Sequence, residues 1–175
     1  MVQTPIGQEP NGNAGLDKSP MDMIFYPKDY PIRKISGDMG EGPVARIIYS
    51  RPFRAGREIF GDLVKFGSTW RLGANEATEI EFFRNVTIQG TKVNKGRYVL
   101  YCIPEEKEWT LILNGDLNTW GLKIDPSKDL YRFRVNTRPA NNTIEVFTME
   151  FSGSGNNIQL NIGWDNTMVS LPIVI

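Results

Sequence analysis

The chain contains no histidine. Ser-His-Asp and Cys-His nucleophilic arrangements are therefore excluded, as are histidine-bearing zinc or iron sites. The single cysteine, Cys102, cannot form an internal disulfide. It lies in the strand-like run "RYVLYCIP", which predicts a buried, inert thiol rather than a nucleophile. No stretch approaches the roughly 20 apolar residues of a transmembrane helix. The segment from Met1 to Pro20 has neither the basic start nor the apolar run of a secretory signal. Formal net charge is zero, so the basic face that phosphate neutralisation requires is missing, and nucleic acid is not an expected partner. Helical periodicity sustained over a long window is absent as well.

What remains is rich in short alternating runs. A length of 175 residues suits one domain, and a chain of this size buries roughly two-thirds of its unfolded surface. Residues 1–20 are rich in Gly, Asn, Pro and Gln and read as an arm without a fold of its own. Residues 21–43, with "MDMIFYPKDYPIRKISGD", are expected to lie extended against the domain, because proline-punctuated aromatic stretches disfavour helix. Strand follows strand over residues 44–175. "VARIIYS" and "ATEIEFF" are strand candidates, with Ile80 and Phe82 sharing a face. "NVTIQGTKV" reads as a hairpin about Gln89-Gly90. "RYVLYCIP", "EWTLILN" and "LYRFRV" follow, the last setting Tyr131, Phe133 and Val135 against Arg132 and Arg134. "TIEVFTMEF" is apolar on both faces in part, as in a central strand. Ile158, Leu160, Ile162 and Trp164 alternate, as do Val169, Leu171 and Ile173. With Asp165-Asn166 between them they form a hairpin whose Pro172 suggests an edge. The expected fold is all-β: a single antiparallel β-sandwich, jelly-roll-like or immunoglobulin-like, with a long loop capping one end.

That loop joins "VARIIYS" to "ATEIEFF" and spans about 29 residues, a length that is usually functional or packed by its own side chains. Ile59, Phe60, Leu63, Val64 and Phe66 favour packing. From Ile32 to Gly73 the basic residues Arg33, Lys34, Arg46, Arg51, Arg54, Arg57, Lys65 and Arg71 outnumber the acids Asp38, Glu41, Glu58 and Asp62. A small anion or a carbohydrate is the ligand this composition fits. Arg gives bidentate recognition of carboxylate or phosphate, Trp a stacking face, and Asn and Glu directed hydrogen bonds. The candidate ligand-binding residues are Arg51, Arg57, Trp70, Arg71, Asn75, Glu76 and Thr78. The competing reading is a structural lock in which Arg71 pairs with Glu76 or Glu79 and Asn75 holds a positive-φ turn.

The run "YSRPFRAGREIFGDLVKFGSTWRLGANEATEIEF", the following "GTKVNKGRYVLYCIPEEKEWTLILN", "NTWG" and the closing Trp-x-Asn-Thr-x-Val strands together resemble a bacterial family, domain of unknown function 2911, over about residues 44–175. The resemblance implies a small β-sandwich exported by Gram-negative bacteria, in the periplasm or at the cell surface. A cytoplasmic location is the alternative. It implies no activity, no cofactor and no catalytic or metal-ligating residues. Residues 1–42 depart from the family pattern, so a role particular to this chain falls to that arm.

A non-catalytic module that binds a small ligand or partner at the Trp70–Thr78 loop is the first expectation. The second is an accessory subunit of a cell-surface assembly, docking on a protein partner or another copy through its N-terminal arm. The least favoured is a carboxylate hydrolase using Glu76, Glu79 or Glu81, since Glu79 and Glu81 alternate with core residues and read as a solvated face. "NGDLN" lacks the spacing and acids of a calcium loop and reads as a turn.

Overall fold

The structure is a computed structural model that describes residues 17–175. Nearly all of the arm at residues 1–20 lies outside the described residues. Alternating apolar side chains build two antiparallel sheets. The first is six-stranded, in the order β1 (Met21–Tyr26), β2 (Ala45–Ser50), β3 (Glu79–Phe82), β6 (Gly96–Pro104), β7 (Glu108–Asn114) and β8 (Asp129–Asn136). The second runs β5 (Thr91–Val93), β4 (Val86–Ile88), β10 (Asn157–Val174) and β9 (Arg138–Ser154). The two pack as an all-β sandwich.

The period-2 faces fall where the sequence places them. Ile80 and Phe82, Trp109, Leu111 and Leu113, and Phe133 and Val135 are buried in one core with Phe147, Met149 and Phe151 of the facing sheet. Glu79 and Glu81 turn the other way and pair with Arg97 and Arg46. Tyr49 joins the two sheets. Its hydroxyl accepts the Met149 N–H at 3.0 Å and reaches the Met149 carbonyl at 3.3 Å. Cys102 is fully buried, and burial pushes its thiol well above the ordinary range. Val99, Tyr101 and Ile112 are equally buried although they alternate with the core residues. The segment between β7 and β8 is tied down beside them: Asn114 Nδ2 donates to the Asp125 carbonyl at 2.9 Å, and Tyr101 Oη donates to Asp129 at 2.8 Å.

Two local expectations are corrected here and a third is met. Residues 21–43 are not simply extended. β1 is an edge strand paired with β2 from Met21↔Ser50 to Tyr26↔Ala45, and Tyr30–Ser36 forms a helix, α1. Pro31 is tolerated there because it occupies the first turn, where its missing N–H has no partner to lose. "TIEVFTMEF" is not central but lies in β9, an edge strand. Its free edge is partly covered by the loop after β2, which bridges to it at Phe53 and Val146. Arg54 N–H donates to the Glu145 carbonyl at 2.7 Å, and Phe147 N–H donates to Pro52 at 2.9 Å. "NVTIQGTKV" is the expected hairpin, with Gln89 and Gly90 both at positive φ.

β10 doubles back on itself at Asp165-Asn166. Ile175 N–H donates to Asn156 at 2.8 Å, Ser170 Oγ to Asn161 Oδ1 at 2.7 Å, and Met168 packs against Gly163. These three pairs share one antiparallel register, that of the expected hairpin. β4 pairs with this strand only at Val174↔Thr87, so Pro172 lies inside the sheet order but outside the pairing with β4. Among the described residues no helix is long and apolar enough to cross a membrane.

Candidate functional site

The 28-residue connection from Arg51 to Thr78 contains no strand of its own but is pinned by isolated bridges, Phe53 to Val146, Phe60 to Val64 and Trp70 to Cys102. Its first part fills the end of the sandwich: Ile59 is fully buried and Val64 nearly so. Arg54 and Asp165, an ion pair at 2.8 Å, fasten it to the turn of β10. Its second part takes the place of β3 beside the upper half of β6. Trp70 exchanges backbone hydrogen bonds with Cys102 at 2.8 and 2.9 Å, and the Thr78 carbonyl accepts from Leu100 at 2.8 Å. Between those two rungs residues 71–77 leave the sheet.

Local chemistry shapes the excursion. Leu72 and Asn75 adopt φ values of 55° and 58°. Gly73, at φ 150°, is needed because a Cβ there meets the Ser50 carbonyl at 2.9 Å. Ser50 Oγ accepts the Ala74 N–H at 2.7 Å and donates to the Ala74 carbonyl. Thr78 Oγ1 donates to the Leu72 carbonyl at 2.7 Å, and Trp70 Nε1 to Gly73 at 3.3 Å. Ala77 N–H donates to Thr119 of the neighbouring loop at 3.3 Å.

A lock therefore exists, but not the one that charge pairing suggests. Glu79 pairs with Arg97, Glu76 is exposed, and neither meets Arg71. Serine, threonine and main chain do the fastening. Asn75 does hold a positive-φ position, and its Nδ2 donates to Asp17 at 3.0 Å.

An open cleft of about 360 Å³ lies against the excursion, lined among others by Arg57, Trp70, Arg71, Leu63, Leu122 and Trp164. The structure thus gathers three of the seven sequence candidates. Thr78 is buried as a fastener, and Glu76 borders a separate shallow groove. Arg51 is engaged elsewhere: it donates to the Phe147 carbonyl at 3.2 Å, to Asp22 at 3.1 Å and to Thr148 at 3.0 Å. Trp70 does not offer a stacking face. It is 9% exposed and surrounded by Phe60, Trp109, Phe147 and Trp164 at centroid distances of 5.1–5.8 Å.

Arg71 is the exceptional group. The other partly buried arginines, Arg33, Arg46, Arg51, Arg54 and Arg84, each pair with an acid. Among the described residues Arg71 has neither an ion pair nor a hydrogen bond, and its Nε is shielded from solvent. Burial lowers its pKa from the ordinary guanidinium value, yet an arginine keeps its charge at neutral pH. Trp164, 2% exposed, lines the same cleft with an Nε1 that also lacks an acceptor among the described residues. Arg57 contributes less, because its Nε and Nη2 already donate to the carbonyls of Arg54 and Phe53. No carboxylate lines the cleft among the described residues, and no group of three or more metal-ligating side chains is assembled among them.

Sequence reasoning missed Trp164, Leu63, Leu122 and Gly121 as parts of this cleft. The first reads as core by its alternation. Gly121, from the "NTWG" motif, packs its backbone against the Cβ atoms of Arg71 and Ala77. A side chain there would meet them at 3.1 and 3.0 Å.

Fold and cleft together define a two-sheet antiparallel β-sandwich carrying at one end an arginine that is unpaired among the described residues. The chain belongs to the family described as protein of unknown function DUF2911, whose sequence model matches residues 31–173. The match starts at Pro31 and so takes in α1, well before the Val44 boundary expected from motifs. No curated protein and no solved structure matches the chain.

Proposed function

We propose that this protein is a non-catalytic module, exported by its bacterium, that binds a small anionic ligand in the cleft at Arg71. The carrying observation is Arg71 itself. A partly desolvated guanidinium with no counter-charge among the described residues is unfavourable, and a bound carboxylate or phosphate would supply the missing partner with charge-assisted hydrogen bonds. The absence of any acid among the described lining residues favours binding over carboxylate-based hydrolysis, which needs two of them. Calorimetric titration at low ionic strength with acetate and with inorganic phosphate tests it. Saturable heat in the native protein, abolished in Arg71→Met, is expected. Equal heats in both proteins would overturn the reading.

A second reading, an accessory subunit docking on a partner, is favoured by one feature. α1 and the turn after it expose Ile32, Ile35 and Met39 at 71%, 88% and 52%. A change in oligomeric state or captured partners on replacing Ile32 and Ile35 with Ser supports it, and no change counts against it.

A further inference from the structure

The cleft's walls define its ligand more narrowly than "anion". Resting on the reading that Arg71 binds an anion, we infer that the ligand is a small amphiphilic monocarboxylate: one carboxylate head on a short apolar body. Three observations converge on this class.

The cationic pole is small. Among the described residues Arg71 is unpaired, and Arg57 has committed its Nε and Nη2 to backbone carbonyls. Two carboxylate oxygens match one guanidinium fork. A phosphate dianion, with more oxygens and more charge, finds few further donors here. The walls are apolar. Leu63 and Leu122, 47% and 71% exposed, line the cleft together with Pro52, Val64 and the buried Trp70 and Trp164. Exposed leucines lining a cleft gain free energy only when an apolar group covers them. Finally, a polyol is poorly served. Among the described residues Thr69 and Ser19 are the only lining side chains with hydroxyls, and the Trp70 ring is enclosed by four other aromatic residues. A cleft of about 360 Å³ holds the volume of about a dozen waters, at the lower end of the usual range for ligand sites.

Gly121 sets the geometry. Its backbone lies against the Arg71 Cβ, so the "NTWG" loop holds the arginine stem and presents Leu122 beside it. Head and body of the ligand would thus be read by adjacent residues of two loops.

Calorimetry on the full chain tests this with acetate, butyrate, hexanoate, N-acetyl-leucine, inorganic phosphate and glucuronate, on native protein, Arg71→Met and Leu122→Ser. Leu122 is exposed, so its replacement does not threaten folding. Affinity is expected to rise up to about fourfold per added methylene from acetate to hexanoate. Leu122→Ser flattens that rise while keeping acetate binding, and Arg71→Met abolishes binding of every acid. Hexanoate above N-acetyl-leucine points to a linear acyl acid, and the reverse order to an acylated amino acid or peptide C-terminus; either order supports the class. Phosphate or glucuronate binding more tightly than hexanoate, or no dependence on chain length, overturns the amphiphile inference and leaves the anion site standing. Binding that survives Arg71→Met, or no binding of any probe, overturns both.

Discussion

Arg71 separates two accounts of the same loop. If it were part of the lock, removing it would weaken the fold. Among the described residues it makes no hydrogen bond or ion pair, and its charge is partly desolvated without a partner there. Replacing such a charge with a similar apolar shape is often neutral or stabilising. Arg71→Met is therefore expected to leave the urea midpoint unchanged or to raise stability by up to about 1 kcal/mol while eliminating anion binding. A loss of more than about 1 kcal/mol would identify Arg71 as structural. The arginine and its position beside Trp70 were legible in the sequence. Its isolation from Glu76 and Glu79 was not, because strand alternation fixes which face an acid occupies but not which distant arginine crosses to it.

The 71–77 excursion, as an element, is rigid because side chains satisfy its main chain. Ser50→Ala leaves the Ala74 N–H and carbonyl without their partner, at a cost of about 1–3 kcal/mol. Gly73→Ala forces a Cβ onto the Ser50 carbonyl and is expected to lose a similar amount. Both should lower the urea midpoint and, by loosening the excursion, weaken ligand binding. Unchanged midpoints would show that the excursion is not fastened at Ser50. The strands themselves were legible from period-2 alternation, as in "LYRFRV" and "EWTLILN". α1 was not, because Pro31 reads as a helix breaker unless its place in the first turn is known. The edge position of β9 was hidden for a different reason: the loop covering it comes from residues 52–54, nearly a hundred positions earlier. Periodicity cannot report a contact of that span.

The whole molecule carries its buried phenols as a pH liability. Burial is the first cause raising the pKa of Tyr49, Tyr98 and Tyr101, and hydrogen bonding to Asp129 adds to it at Tyr101. The buried Cys102 thiol is raised in the same way. Folded values above unfolded ones mean that this stability is fully present below the unfolded pKa, about 8.5 for the thiol and about 10 for the phenols. It is lost as pH climbs through that range and on towards the folded values. The urea midpoint should be level from pH 7 to 8, fall from about pH 9 and fall faster beyond pH 10, with a shallower fall in Tyr101→Phe. A level midpoint to pH 11 would contradict the burial of these groups.

The cleft is tested most directly by nuclear magnetic resonance of the side-chain Arg71 Nε–H and Trp164 Nε1–H during an acetate titration at neutral pH. Both resonances should shift saturably and together, and the Trp164 shift should disappear in Arg71→Met. Resonances that stay in place to high acetate concentration, or a Trp164 shift that persists without Arg71, would contradict an anion site at Arg71.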